Sequence, residues 1–318
     1  MRLLLSSIST RHSMLKKHWS ATKQEQQKTE CPLTVLGSYK KPEDDPGGLL
    51  CVVDDLGCTQ KIIPLSLAAG IAPSTQGLLI TTFDSIHEFD PEREELQRAV
   101  ITSPLFNALH SLSRTRSGHI VASTGLDLLL EFDSSGAILW EWWAIDHGFT
   151  TTPAGERRTI DKTADHRTVK YGTLQQTTHV NSVAELPDGR FLATLFHQGT
   201  VIAIDRETGH WQTVLEGLDH PHSVRILDEQ HFTVADTVHG KALLARFAAQ
   251  DRRAHVEFAI DAGTDWLQDC SFNVEHDTWI LVDGKQSRII LRRGRTGEQP
   301  IAQFEFDAEW RLYEAYAL

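Results

Sequence analysis

The segment 178–194, which reads Thr-His-Val-Asn-Ser-Val-Ala-Glu-Leu-Pro-Asp-Gly-Arg-Phe-Leu-Ala-Thr, decides the fold. Two apolar runs flank its Pro-Asp-Gly turn, and a third run, 201–205, is followed by the turn 207–209. Short strands separated by such turn residues predict an antiparallel meander. A similar pattern starts again near residue 220, so the meander is one unit of a repeat.

The repeat can be phased on one large strand residue per unit, represented by Ile120, Phe191, Phe232 and Trp279. Ten residues before each of these lies a polar residue, in order His110, Asn181, His222 and Asp269. The spacing is 41 residues from Asn181 to His222 and 47 from His222 to Asp269. Periods of about 40 to 50 residues containing several short strands are typical of β-propeller blades.

Counting outward from these units predicts an all-β, six-bladed β-propeller. The predicted blades are 46–72, 73–106, 107–146, 178–217, 218–262 and 263–305, and residues 310–318 return to complete the ring. A seventh blade is the alternative, because residues 33–37 supply one more candidate strand. The prediction is therefore a single propeller domain over 33–318.

Residues 1–32 are predicted to form a leader, either disordered or targeting. Their first 24 residues hold five Lys or Arg and no acid, and the apolar run at 3–5 is too short for a standard secretory signal. A cytoplasmic location is favoured, with organellar or exported locations left open by this basic start.

The composition narrows the function classes. The net charge of −12 and the lack of a basic face argue against nucleic-acid binding. No stretch is long and apolar enough for an integral membrane segment. The predicted partner is therefore a small-molecule substrate, and the oligomeric state is left open.

Residues 148–177 interrupt the repeat between two blades. Long insertions in compact domains are often lids or binding loops. This insertion contains several basic residues, including Arg157 and Arg158, and it enters just before His179. It is predicted to fold over the end of the propeller where His179 lies, where its basic side chains could meet an anionic substrate.

The polar residues at the blade starts carry the functional prediction. The innermost strand of each propeller blade faces the central channel, so equivalent positions on successive blades converge. His110, Asn181 and His222 form one such set, and His179 and His220 lie two residues before the last two. Residues two apart on a strand share a face, so both sets can point into one cavity. Converging imidazoles can act as bases, nucleophiles or metal ligands.

Residues 107–245 resemble the arylsulfotransferase family. The likeness rests on His-x-Asn-Ser at 179–182 followed by Pro-Asp-Gly-Arg-Phe-Leu, on Glu-Phe-Asp…Gly…Trp-Glu-Trp at 131–142, and on His-Pro-His-Ser at 220–223. The resemblance implies a six-bladed propeller that moves a sulfuryl group between phenols without a nucleotide donor or other cofactor. It implies that His222, or His220, is the nucleophile, that His179 and Asn181 contact the sulfuryl oxygens, and that His110 is a further channel imidazole.

The sequence departs from that family at one position. Where the family has an Arg that holds the sulfate, residues 195–198 read Leu-Phe-His-Gln. The candidate substrate-binding residues are therefore His197, His220, Arg225, Arg157 and Arg158.

Two alternatives to sulfuryl transfer stay open. In the first, His110, His179, His197 and His222 bind a transition metal ion, since imidazole suits Zn, Fe, Cu or Ni, and the protein is a metal-dependent lyase, hydrolase, cyclase or oxygenase. In the second, the propeller is a non-catalytic binding module whose histidines satisfy hydrogen bonds where the blades meet.

Overall fold

A computed structural model describes residues 1–17, 39–40, 45–248 and 253–318. Over these residues the strands form six four-stranded antiparallel sheets, arranged as the blades of a β-propeller. The predicted six-bladed all-β fold is confirmed. The candidate strand at 33–37, on which the seven-bladed alternative depended, lies outside the described residues.

Blades two to six each follow the chain from the inner strand outward. Blade two comprises β5 (Ile71–Pro73), β6 (Leu78–Thr81), β7 (Ser85–Asp90) and β8 (Glu95–Thr102). Blade three comprises β9 (Leu109–Arg114), β10 (His119–Ser123), β11 (Leu128–Phe132) and β12 (Ile138–Trp143). Blade four comprises β14 (Val180–Glu185), β15 (Phe191–Leu195), β16 (Thr200–Ile204) and β17 (Trp211–Glu216). Blade five comprises β18 (His222–Ile226), β19 (His231–Asp236), β20 (Lys241–Phe247) and β21 (Ala254–Asp261). Blade six comprises β22 (Leu267–Asn273), β23 (Thr278–Asp283), β24 (Arg288–Arg293) and β25 (Gln299–Glu305).

Blade one closes the ring by joining both ends of the described chain. Its order is β26 (Leu312–Ala317), β1 (Leu3–Ser7), β3 (Leu49–Val53) and β4 (Thr59–Pro64). The predicted return of residues 310–318 is confirmed by the pairing of β26 with β1.

The prediction of a leader over residues 1–32 is wrong for residues 3–7. These five residues form a fully buried strand that pairs with β26 on one side and β3 on the other. Their short apolar run fits the core of a blade, and a helical turn follows over 12–17. Residues 18–38 lie outside the described part of the chain.

Large side chains fill the spaces between neighbouring blades. Trp142 of blade three and Phe191 of blade four are fully buried in one apolar cluster, and Trp279 of blade six packs with Leu244 of blade five in another. Aromatic side chains bury large apolar areas, which suits the flat faces between blades. The described cysteines Cys51, Cys58 and Cys270 are free thiols.

The remaining short elements lie in the connections between strands. Three 3₁₀ turns cover Thr124–Leu126, Ala144–His147 and Thr173–Gln175. Within the insertion 148–177, β13 (Val169–Lys170) pairs with β2 (Tyr39–Lys40), which lies between β1 and β3. The insertion is therefore tied to the segment that connects two strands of blade one.

The role of β1 can be tested by core truncation. Leu5→Ala removes a fully buried side chain and is expected to lower the free energy of unfolding by about 2–5 kcal/mol. Urea denaturation would measure the change. Leu56→Ala is the control because Leu56 is 74% exposed, and a change above about 0.5 kcal/mol is not expected there. Equal effects of the two substitutions would contradict the placement of β1 in the core.

Candidate functional site

The inner strands of the propeller all begin at the same end of the ring. In an antiparallel blade this end also holds the turn between the second and third strands and the connection to the next blade. We call this end the channel mouth. Ala108, His179 and His220, each two residues before His110, Asn181 and His222, all have a left-handed backbone with φ of 48°, 48° and 57°. The shared conformation confirms the phase of the repeat. Because Ala108 adopts it without an imidazole, the conformation is a consequence of blade geometry.

Five imidazoles lie near one another at this end, and we call them the channel-mouth imidazoles: His110, His179, His197, His220 and His222. The ring centroids of His179 are 5.2 Å from His110 and 6.0 Å from His197. Phe196 lies among them, with its centroid 4.6 Å from His179, 4.0 Å from His220 and 5.5 Å from His222. The structure thus brings together all the histidines that the sequence analysis selected.

Hydrogen bonds fix the tautomers of three of these rings. His110 Nδ1–H donates to the carbonyl oxygen of Ala108 at 2.8 Å. His222 Nδ1–H faces the carbonyl oxygen of His220 at 2.9 Å and Thr237 Oγ1 at 2.8 Å. His179 Nδ1–H donates to Gln176 Oε1. Since Nδ1 carries the proton, Nε2 of each neutral ring keeps a free lone pair.

Burial keeps these three imidazoles uncharged. Desolvation lowers the pKa of His110 to about 4 and that of His222 to about 3, and it also lowers the pKa of His179 well below its usual value. The neighbouring imidazoles lower the pKa of His179 further, because a second positive charge beside a first is unfavourable. All three rings are therefore neutral at neutral pH, and the unprotonated Nε2 of each can act as a base or nucleophile.

A small channel cavity lies beside the His222 ring. It is lined by residues of five inner strands, among them Ser111, Asn181, His222, Arg225, Tyr313 and Glu314. Asn181 is only 2% exposed, and its Oδ1 accepts from Thr194 Oγ1 at 2.6 Å. Its Nδ2 makes no hydrogen bond to any described residue. An unpartnered buried N–H beside a cavity is a donor available to a ligand oxygen.

Arg225, a predicted substrate-binding residue, lines the cavity but is already paired. It contacts Asp269, and its Nη2 lies 2.7 Å from Glu314 Oε1. Two carboxylates around one guanidinium leave no excess positive charge to attract an anion. Arg225 is therefore better described as a link between the inner strands β18, β22 and β26.

Asp127, which the sequence analysis did not select, organises the entrance to blade four. Its carboxylate is fully buried and accepts hydrogen bonds from the backbone N–H groups of Thr177 at 2.6 Å, Thr178 at 3.1 Å and His179 at 2.7 Å. The hydroxyls of Thr177 and Thr178 donate to it as well. This carboxylate therefore sets the backbone position of His179.

The predicted substrate-binding role of Arg158 is not supported by its position. Its side chain is fully buried, forms an ion pair with Asp127 and donates to the carbonyl oxygen of Gly125. A guanidinium held this way stabilises the buried carboxylate and exposes no surface to a ligand. Arg157 is exposed and pairs through its backbone with Thr151.

The last part of the insertion contacts the channel-mouth imidazoles, as the lid prediction required. His197 Nε2 donates to the carbonyl oxygen of Thr173 at 2.9 Å, and Gln198 Nε2 donates to that of Thr177 at 2.9 Å. Gln176 holds His179 as described above. The insertion therefore forms one side of the mouth.

The geometry gives no support to the alternative metal site of His110, His179, His197 and His222. Among the residues that the structure describes, no group of three or more His, Cys, Asp or Glu side chains is placed to hold a metal ion. Within the same residues, no helix is both long and apolar enough to cross a membrane.

By fold the chain is a six-bladed β-propeller with a histidine-lined channel mouth. No protein-family model and no curated protein matches its sequence. It is similar to a protein of unknown function from Bacteroides caccae, with a TM-score of 0.60 and 12% identity over 99% of this chain and 97% of that one. It is also similar to a chain of a nidogen–laminin complex, with a TM-score of 0.60 and 11% identity over 99% and 97%. A third similar structure is the periplasmic gluconolactonase of Pseudomonas aeruginosa, with a TM-score of 0.57 and 9% identity over 99% and 98%. These likenesses show the propeller fold alone.

The importance of the buried ion pair can be tested against an exposed one. Asp127→Asn leaves the Arg158 charge buried without its partner and is expected to lower the free energy of unfolding by about 3–5 kcal/mol. Asp146→Asn breaks the Lys162–Asp146 pair, which also links the insertion to blade three but is exposed. This substitution is expected to change the free energy of unfolding by less than about 1 kcal/mol. Similar losses in chemical denaturation of both variants would contradict the assigned role of Asp127.

The low pKa values of the imidazoles predict a loss of stability in acid. Below pH 6.5, the usual value for histidine, the unfolded chain binds protons that the folded His110 and His222 exclude. At about pH 5 each ring is expected to lower the free energy of unfolding by about 2 kcal/mol relative to its value at neutral pH. His222→Gln should therefore reduce the pH dependence of the unfolding free energy by that amount. His276→Gln, which alters an exposed imidazole, should leave the dependence unchanged; an equal change in both variants would refute the assignment.

Proposed function

We propose that this protein is an enzyme that transfers a small group to and from a phenolic substrate at the channel mouth, by histidine catalysis of the arylsulfotransferase type. The observation that carries the proposal is His222. Its Nδ1–H is held by the carbonyl oxygen of His220, its pKa is lowered to about 3, and it borders the cavity. A neutral imidazole with one nitrogen fixed and the other bare is a nucleophile ready at neutral pH.

The first step of the proposed reaction uses the lone pair of His222 Nε2. It attacks the sulfur of an aryl sulfate, the S–O bond to the aryl group breaks, and its electron pair leaves with the phenolate, which takes a proton from solvent. The ring becomes a sulfated imidazolium. The hydrogen bond from Nδ1–H to the His220 carbonyl strengthens as this positive charge develops, because charged donors form stronger hydrogen bonds.

The second step returns the enzyme to its starting state. The oxygen of an acceptor phenol attacks the sulfur, the N–S bond breaks, and the electron pair goes back to His222 Nε2. The acceptor proton passes to a neighbouring base. The exchange needs no oxidant, reductant or nucleotide.

Asn181 supports the proposal as the donor to a sulfuryl oxygen. Its Nδ2–H is buried, lines the cavity with His222 and makes no hydrogen bond within the described residues. A buried donor placed where negative charge develops stabilises that charge more than water does. Arg225 does not supply the charge of the family arginine, since it is paired with Asp269 and Glu314.

The proposal predicts a covalent intermediate. Incubation of the full chain with para-nitrophenyl sulfate should release nitrophenol and add the mass of one sulfuryl group to the peptide containing His222. The adduct should disappear on addition of an acceptor phenol. His222→Gln should remove both adduct and nitrophenol release, whereas His276→Gln should retain them.

Each other result of this experiment rejects the proposal. Nitrophenol release that persists in His222→Gln would show that another group is the nucleophile. Release by the wild type that depends on added transition metal would favour the metal-dependent alternative. Binding of phenols without release would favour a binding propeller.

A further inference from the structure

We infer that Asp219 and His220 form an Asp–His dyad at the channel mouth that accepts the proton of the acceptor hydroxyl. This role rests on the proposed function, because it supplies the base for the second step. His220 Nδ1–H donates to the carboxylate of Asp219. The side chains of His220 and Asp219 are 41% and 37% exposed, so the pair sits at the solvent side of the mouth.

Contacts from the segments after β15 and at the end of β19 hold both members of the dyad in position. The backbone N–H of Asp219 donates to Asp236 Oδ1 at 2.8 Å, and Asp236 Oδ2 lies 2.8 Å from His239 Nδ1. His220 has a left-handed backbone with φ of 57°, and its ring packs edge-on against Phe196 with centroids 4.0 Å apart. The carbonyl oxygen of His220 also accepts from His222 Nδ1 at 2.9 Å. The dyad and the proposed nucleophile are therefore neighbours at the same blade start.

The chemistry of the dyad differs from that of the other channel-mouth imidazoles. His110 and His222 donate Nδ1–H to carbonyl oxygens, and His179 donates to an amide oxygen. His220 donates to a carboxylate, and a carboxylate stabilises the imidazolium that forms when Nε2 takes up a proton. Its exposed position also keeps that charge partly solvated. His220 is thus suited to be the base, and the buried His222 to be the nucleophile.

The proton balance of the second step then closes. The acceptor O–H bond breaks as its proton moves to His220 Nε2, the acceptor oxygen bonds to sulfur, and the N–S bond to His222 breaks. His220 afterwards releases its proton to solvent. No further reagent is required.

An Asp–His pair at the other end of blade five provides a matched control. His231 Nδ1 lies 2.7 Å from Asp228 Oδ1, in the turn between the first two strands of blade five. That turn is at the end of the blade opposite the channel mouth. The Nε2 of His231 also lies 3.4 Å from Glu257 Oε2, so this pair is occupied on both sides.

The test separates the two steps. In single-turnover measurements with para-nitrophenyl sulfate, the rate of adduct formation on His222 and the rate of its transfer to an acceptor phenol are measured separately. His220→Gln should lower the ratio of transfer rate to adduct-formation rate by about 10²–10⁴-fold, the usual contribution of a general base. Asp219→Asn should lower the same ratio, and Asp228→Asn should leave it unchanged. An unchanged ratio in Asp219→Asn, or an equal fall in Asp228→Asn, would overturn the dyad.

A readout that needs no turnover separates failure of the dyad from failure of the proposed function. If the wild type forms no adduct, the proposed function fails, and the dyad is then tested by the rate at which diethylpyrocarbonate modifies His220 Nε2. The carboxylate should make this nitrogen more nucleophilic, so Asp219→Asn should slow the modification of His220 while that of the exposed His276 stays constant. An unchanged rate at His220 would overturn the dyad as well.

Discussion

The buried carboxylate of Asp127 is the constraint on which the channel mouth depends. A charge removed from water costs several kcal/mol unless it is paired and fully hydrogen-bonded. Asp127 meets this requirement with the Arg158 guanidinium, three successive backbone N–H groups and two threonine hydroxyls. The groups come from the insertion and from the start of blade four. None of these segments can move without exposing the charge, so the insertion and His179 form one structural unit.

Charged groups elsewhere at the mouth and in the channel are also paired within the protein. Arg158 and Arg225, two of the three guanidiniums expected to bind an anion, are both bound to carboxylates of the protein. Among the described residues, the buried groups without a partner beside the channel include neutral ones: the Nε2 lone pairs of the imidazoles and the Nδ2–H of Asn181.

The sequence predicted the parts of the fold that repeat and missed those that depend on single long-range contacts. Phasing on Phe191 and its equivalents located the blade starts, and the left-handed residues Ala108, His179 and His220 fall where that phase puts them. The pairing of Arg158 with Asp127 was not predictable, because Asp127 belongs to no repeated motif and the contact spans 31 residues. The strand at 3–7 was missed because a short apolar run with basic neighbours resembles a leader sequence. Its role in blade one follows from its pairing with β26, which is distant in the sequence.

Strand β26, which closes the ring, also contributes residues to the channel. β26 carries Tyr313, whose ring centroid is 5.5 Å from that of His110, and Glu314, which pairs with Arg225 in the channel. The backbone N–H of Glu314 donates to Ser6 Oγ at 3.1 Å, so β1 holds this part of β26 in register. Burial raises the pKa of Glu314 to about 7, so this group lowers the stability of the fold as the pH rises towards 7. Burial lowers the pKa values of His110 and His222, so these groups lower the stability of the fold as the pH falls below 6.5. Ring closure and the positions of the channel residues Tyr313 and Glu314 therefore depend on the same strand, and a substitution that weakens β1 is expected to disturb the channel through β26.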